Sequence, residues 1–505
     1  MNSKFLILLI IVAGFAVRLY RIDNPVADWH SWRQADTAAV TRNFYRFGFT
    51  PLTPRYDDLS NIQTGEDNPQ GYRFVEFPIY NSAVYAVSSA LYFIPFSIEV
   101  WHRIVSILFS LGSVYLMYVI GKRFVSEQTG LFAAAFLSFL PYSVYYSRVI
   151  LPEVPLVFFI LLTIYLFDRA ISQQKIHPVT LLLSALAGAV ALLIKPVALF
   201  FFLPLGYLWM RERLFSAKQL LTGLLYLILL LLPIIFWRVW MQQYPEGIPA
   251  WEWLLNGKSL ELEGGTRSLF TNMTRIISFL FGYQDGGIRY RPAFFYWLVW
   301  KRLTELISGY AGILFIVAGA AALLQKQLKS RWFFITLGLG ALVYMIVFAE
   351  GNVRHDYYQV VTLPALVFIL AVGADYIVRI AQKKKRHAIG YGIVAVVSVL
   401  SCWYSWKTIQ TYYWINNQSI VEAGNRADEL LPENAKVIAP YGGDTAFLYQ
   451  INRQGWPIGF EIEDKIAKGA THYVSVYPQD PETLDLRARY TMLSETDTYV
   501  IIHLL

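Results

Sequence analysis

The chain of 505 residues is 56% hydrophobic and 16% aromatic but only 15% charged. Its mean hydropathy is +0.42; soluble domains carry about 25% charged residues, so this composition excludes an ordinary soluble enzyme. The formal net charge of +8 reports on topology rather than nucleic acid, because the basic residues gather at the ends of apolar stretches, and the single cysteine, Cys402, excludes an intramolecular disulfide.

The first apolar run, Phe5 to Val17 after Lys4, is followed directly by Arg18-Leu19-Tyr20-Arg21 with no small-residue cleavage site, so 4–21 reads as an uncleaved first span rather than a signal peptide. A polar loop of roughly 80 residues follows, far beyond the usual connection length, and loops of that size are usually functional. Further spans are expected at 103–121, 129–147, 153–170, 179–195, 197–211, 219–239, 305–324, 332–349, 358–380 and 388–406, eleven in all.

Segment 79–97 is apolar enough to cross as a twelfth. If it lies in the interface instead, anchored by Tyr80, Tyr85, Tyr92 and Phe93, the short basic loops all fall on one side. Those loops are Lys122-Arg123, Arg169 to Lys175, Arg211 to Lys218, Lys326 to Arg331 and Lys383 to Arg386. This topology expects a cytoplasmic N-terminus. The loop 21–102, the turn Tyr146 to Pro152, the loop 240–304, the turn Glu350 to Tyr357 and the tail 407–505 are then extracytoplasmic.

The tail changes character at about 407. Turn signals (Pro440, Gly442-Gly443, Pro457, Pro478, Pro481) separate strand-like runs at Lys436–Ala439, His472–Tyr477 and Tyr499–Leu504, with helices expected at 418–431 and 444–453. The expected architecture is an all-α polytopic membrane domain, 1–406, and a small extracytoplasmic α/β domain, 407–505. There is no internal repeat, P-loop, GxGxxG placement or zinc spacing, which argues against an ATP-driven pump and a nucleotide-sugar site.

Ionisable groups at a membrane are expensive and are functional candidates. In Asp28-Trp29-His30-Ser31-Trp32-Arg33-Gln34-Ala35-Asp36, a carboxylate poised as general base would stand near an anion met by Arg33 and His30. The same residues would also serve as an interfacial helix with Trp anchors. Glu76, in Phe74-Val75-Glu76-Phe77-Pro78, offers a second carboxylate for a sugar hydroxyl or, with Asp36, a divalent cation; an acid in the first turn of a helix also matches the macrodipole. Arg148 and Glu153 flank a turn between two spans, where they would face water or simply close the turn. Arg354 and His355 could neutralise a phosphate, with Tyr357 and Tyr358 stacking on a sugar or prenyl chain or forming an interfacial belt. Of Lys195, at a helix end before Pro196, and Arg238, Arg267, Arg275, Arg289 and Arg291, in or beside the 240–304 loop, some could reach an anionic lipid carrier, while most read as ordinary loop charges.

Across residues 1 to about 406 this order resembles the GT-C superfamily of integral-membrane glycosyltransferases. The similar branch holds the protein O-mannosyltransferases, the aminoarabinose transferase of lipid A and the RgtA/B/C/D-like bacterial enzymes (glycosyltransferase family 39 type). The resemblance rests on a first span, a long acidic loop carrying His30-Ser-Trp-Arg-Gln-Ala-Asp-Thr, Glu76-x-Pro78 before an interfacial helix, the Arg148–Glu153 turn, and His355-x-Tyr-Tyr near a late span. It implies an inverting enzyme whose first-loop aspartate, Asp36 with Asp28 in reserve, is the base, and Glu76 a second catalytic carboxylate. His30, Arg33, Arg148, Glu153, Arg354, His355 and Tyr358 would bind substrate.

Two departures stand out. The Asp-Glu pair of many members is absent, since Asp36 is followed by Thr37 and Asp28 by Trp29. Phe77 replaces the basic residue often found after the glutamate. The implied donor is a polyprenyl-phosphate sugar, undecaprenyl phosphate in a bacterium, and the acceptor a glycan, lipid or protein hydroxyl. No cofactor is implied beyond a possible divalent metal at Asp36 and Glu76. The implied location is the bacterial inner membrane. A flippase for lipid-linked sugars, or a glycan polymerase or ligase, is the competing reading; transporters concentrate polar groups near the midplane, whereas here they gather at one face.

Overall fold

The computed structural model describes residues 2–172, 176–251, 253–256, 287–325, 328 and 330–505. The helices to the middle of the chain are α1 (Ser3–Arg18), α2 (Ser31–Phe47), α3 (Ile79–Ala90), α4 (Ile98–Phe124), α5 (Glu127–Phe139), α6 (Pro141–Tyr146), α7 (Glu153–Ala170), α8 (Pro178–Ile194), α9 (Leu203–Arg211) and α10 (Ala217–Met241). Ile313–Leu324, Arg331–Val347, Leu363–Lys383 and His387–Ile409 complete the polytopic bundle. Among the described residues, Ile98–Phe124, Ala217–Met241, Asp356–Lys383 and His387–Leu430 are each long and apolar enough to cross a membrane.

Local chemistry sets the ends. Ser97 and Ser126 cap α4 and α5 through their hydroxyls, and Ser216 with Gln219 forms a capping box at α10. Proline accounts for where expected spans break. The run 129–147 is two helices, because Leu140 before Pro141 is extended (φ −60°, ψ 124°). The run 197–211 opens as a 3-10 turn, Pro196–Phe202, and becomes α-helical at Leu203-Pro204. The span expected at 305–324 begins only at Ile313. A separate helix, Tyr296–Ile307, precedes it, and the chain turns through Gly309 and Tyr310, both at positive φ.

The basic residues gather at one end of the bundle, where Asp168 holds Arg123 (3.0 Å) and Arg211 (2.8 Å). The long first loop lies at the other. There α3 is too short to cross: it starts beside the end of α8, where Phe77 N–H donates to Leu193, and ends before α4 at the same bundle end. The helical part of segment 79–97 thus ends at Ala90, and Tyr92 and Phe93 beyond α3 are exposed.

The tail forms a five-stranded sheet in the order β2 (Gln454–Trp456), β1 (Lys436–Ile438), β3 (His472–Ser475), β5 (Val500–His503), β4 (Thr491–Glu495). Strand β1 pairs in parallel with β2 and β3, and β5 runs antiparallel between β3 and β4. Strands β2 and β4 and the helices Ile462–Ala467 and Pro481–Arg489 were not expected from the sequence.

This sheet shares its core with the first loop. Ala35, Ala38, Ala39 and Phe44 of α2 and Trp101 of α4 join Ile420, Val437, Phe447 and Leu448 in one buried cluster. Fully burying Phe447 and Leu448 contributes about 1.5–3 kcal/mol each. Helix α2 is polar, yet twelve of its seventeen residues are buried; it is the strut between bundle and sheet.

Candidate active site

Helix α2 starts at His30, which sits in the left-handed region (φ 58°, ψ 36°). From that start, His30 at the cap and Arg33, Gln34 and Asp36 within α2 each join a different polar group.

The deepest is Asp28. It is fully buried, paired with Arg148 Nη2 at 2.8 Å, and accepts from Gln34 Nε2 at 2.6 Å. Arg148 also donates to the Arg21 carbonyl and lies over the Tyr413 ring. Both groups are buried in this pair, so the geometry sets Arg148 and Asp28 against each other rather than open to a substrate, with Arg148 Nε left without a partner.

Asp36 is likewise sealed. Arg73 Nη2 lies 2.9 Å from one of its oxygens, and Thr445 Oγ1 of the tail donates to the other at 2.6 Å. Its side chain has no exposed surface. This carboxylate clamps loop to sheet rather than standing free as a base.

Glu76 reaches the site surface, with 8% of its side chain exposed. Arg33 Nη2 donates to both its oxygens, at 2.9 and 2.7 Å. Burial raises its pKa, but the charges of Arg33, Lys195 and Arg73 outweigh burial and leave it below the usual carboxylate value. A carboxylate held that low is a weak proton acceptor, which counts against Glu76 as base too. Its partner is the more informative atom. Arg33 Nη1 is buried and has no hydrogen-bond partner, although a buried guanidinium nitrogen ordinarily has one.

Beside this pair stand Glu153 and Lys195, in direct contact at the starts of α7 and the Pro196–Phe202 turn. Lys195 Nζ lies 5.8 and 5.5 Å from the Tyr357 and Tyr358 ring centroids. His355 stacks on both tyrosines, at 5.5 and 6.2 Å. Burial, then the neighbouring His30, lowers the His355 pKa to about 4, so it is neutral at pH 7 and does not supply the expected positive charge to a phosphate. Arg354 is exposed and pairs with Glu350 at 2.6 Å, outside the cluster.

The fourth group centres on Asp356. His30 Nε2 meets it at 2.6 Å, and Trp29, Tyr146, Tyr412 and Arg302 also point at its carboxylate. His30, Arg33, Glu76, Glu153, His355 and Tyr358 are thus brought together. Asp28, Asp36, Arg148 and Arg354 are engaged elsewhere.

Four further members lie outside the substrate-binding and catalytic set expected from the sequence. Lys195 is one, although a lysine closing an apolar run before Pro196 is itself a signal. Arg73 and Arg302 carry no local pattern that singles them out, and Asp356 stands at the unspecified position of His355-x-Tyr-Tyr. Of the loop arginines, Arg289 is buried and donates to the Leu255 carbonyl. Arg267 and Arg275 lie outside the described residues. The donor set does not fit a divalent cation: Asp36 and Glu76 each face an arginine, and among the described residues no three His, Cys, Asp or Glu side chains group as ligands.

Comparison with known proteins places this geometry in context. The profile of the family "Dolichyl-phosphate-mannose-protein mannosyltransferase" matches residues 80–242. By sequence, no curated protein matches. Among solved structures, ArnT from Cupriavidus metallidurans bound to undecaprenyl phosphate superposes with TM-score 0.65 at 12% identity, covering 100% of this chain and 98% of that one. The oligosaccharyltransferase AglB from Archaeoglobus fulgidus, in complex with an inhibitory peptide and a dolichol-phosphate, gives TM-score 0.52 at 11% identity, over 94% and 70%. The mycobacterial arabinofuranosyltransferase AftD gives 0.58 at 11%, covering 100% of this chain and 41% of that one. All three are GT-C glycosyltransferases, and the chain has the GT-C fold.

Proposed function

We propose that this GT-C chain moves a sugar from a polyprenyl-phosphate donor to an acceptor hydroxyl, with inversion, at the bundle end carrying the first loop. The observation that carries the reading is the partnerless, buried Nη1 of Arg33, set beside Lys195 and Glu76. A lipid phosphate supplies the acceptor oxygens that this nitrogen lacks. As the bond between anomeric carbon and phosphate oxygen breaks, charge builds on the phosphate, and preorganised cations lower that barrier. Lys195 stands in for the basic residue that Phe77 displaces, because the Phe77–Leu193 backbone bond brings the end of α8 next to Glu76. Tyr357 and Tyr358 offer faces to a sugar or prenyl chain. The undecaprenyl phosphate in the ArnT structure supports a lipid-linked donor.

On this reading 1–406 is the transferase domain and 407–505 a tail domain on the same face. The basic loops mark the cytoplasm, so site and tail face outward across a bacterial inner membrane. The test is sugar transfer by purified protein from synthetic polyprenyl-phosphate monosaccharides. Arg33→Gln and Lys195→Gln are each expected to lower kcat/KM by about 10²–10³, the range for removing one charge-stabilising donor. Full activity in both variants, or vesicle-to-vesicle translocation of the donor with no transfer, overturns the proposal.

A further inference from the structure

Asp28 and Asp36 are buried in ion pairs, Glu76 holds Arg33 and Glu153 holds Lys195, so each of these four carboxylates faces a cation, although Glu153 Oε2 has no hydrogen-bond partner. We infer that His30, oriented by Asp356, is the general base of the transfer. This inference rests on the proposed reaction and deepens it.

Asp356 is surrounded by donors: Trp29 Nε1 at 3.2 Å, Tyr146 OH at 2.5 Å, the Tyr412 hydroxyl, and Arg302 Nη1 at 3.5 Å. Those donors require a carboxylate, which only accepts. The 2.6 Å contact to His30 Nε2 is then an Nε2–H donating to Asp356. In the neutral ring that fixes the tautomer and leaves the lone pair on Nδ1. Among the described residues Nδ1 has no hydrogen-bond partner, and 10% of the His30 side chain is exposed.

An imidazole held by a carboxylate through one nitrogen and free at the other is the orienting logic of nucleophile-activating dyads. The backbone at His30 adds a second observation. A non-glycine residue held at φ 58° costs on the order of 1 kcal/mol, and such positions cluster at functional sites. It is also where α2 begins, one turn from Arg33, so base and phosphate cation are carried by a single element.

The step balances as follows. The acceptor O–H gives its proton to Nδ1 as its oxygen bonds to the anomeric carbon. The bond from that carbon to the lipid phosphate breaks, and its electron pair leaves with the phosphate. The imidazolium, stabilised by Asp356, later releases its proton to water. Asp356 acts through His30 and is a positioning residue.

The charged and titratable groups around the imidazole are Asp356, Arg302 behind it, and His355 and Tyr357, whose rings lie 5.7 and 5.1 Å away edge-on. With His30 as base, kcat/KM rises with pH; if a protonated His30 merely gripped phosphate, it would fall.

The test uses His30→Gly, because glycine adopts the observed φ without strain and leaves room for an added imidazole. Transfer from a synthetic polyprenyl-phosphate sugar is expected to drop about 10²–10³-fold and to recover at least 10-fold with exogenous imidazole, more with more basic imidazoles. His30→Gln should drop equally without rescue. Loss below about threefold, loss without rescue, or a limb descending as pH rises overturns the base assignment while leaving the transferase reading intact. A wild-type protein with no transfer from any such donor overturns both.

Discussion

Arg33 and Asp36 lie one turn apart on α2 and are held differently: Arg33 pairs with Glu76 at the site surface, whereas Asp36 is enclosed between Arg73 and Thr445. That difference predicts two kinds of failure. Asp36→Asn leaves Arg73 charged, buried and without its carboxylate, so a loss of about 3–5 kcal/mol is expected, read as a lowered unfolding midpoint in detergent. Glu76→Gln likewise leaves Arg33 buried without its carboxylate and is expected to lower the unfolding midpoint too, but it should also lower kcat of the folded protein, because Arg33 is no longer fixed by a bidentate charge. Equal kcat per folded molecule in the two variants would contradict this division. The sequence made both carboxylates visible, but not their partners. Thr445 lies 409 positions from Asp36, and Asp356 lies 326 from His30. Nothing local to either end signals such a pairing, so candidate residues were legible and their roles were not.

Elements were more legible, because a run of apolar residues with basic ends is a one-dimensional signal. What the run hides is where it breaks. The turn before Ile313 exists because Gly309, at φ 56°, lies so close to the helix His387–Ile409 that a Cβ would stand 1.9 Å from the Ser401 carbonyl oxygen. Gly309→Ala is therefore expected to unfold or fail to accumulate, whereas Gly338→Ala, with open space at its Cβ, should behave as wild type.

The seam between first loop and sheet makes a separate prediction. Asp58 is buried beside Gly455, and burial raises its pKa from 3.8 to about 7, only partly offset by Ser60. The folded state thus binds more protons than the unfolded state between about pH 4 and 7, so the Asp58 contribution to stability falls as pH rises through that window. Melting in detergent should show wild type losing stability from pH 5 to 7.5, by at most a few kcal/mol. Asp58→Asn should lose less; an unchanged slope would exclude Asp58 as its source.

For the molecule as a whole, composition and charge periodicity announced a membrane bundle and a distinct tail, and both are present. They could not announce that the two share a core, since burial of a polar helix leaves no hydrophobic period to read. Helix α2 resolves this physically. One side meets the bundle through Thr41 and His102, 2.9 Å apart; the other meets the tail through Thr445 and through Arg42, which donates to the Tyr449 carbonyl at 2.9 Å. Although no tail side chain beyond Tyr412 joins the His30–Asp356 or Arg33–Glu76 groups, the helix that carries them is covered by the tail. A chain ending at Trp414 would expose Ala35, Ala38, Ala39 and Phe44 and strip Asp36 of Thr445. Such a chain is expected to lose monodispersity on size exclusion and to lose transfer activity, even with every proposed site residue retained. A truncated protein that stays monodisperse and active would mean that the bundle positions α2 unaided, and that the shared core contributes nothing to the site.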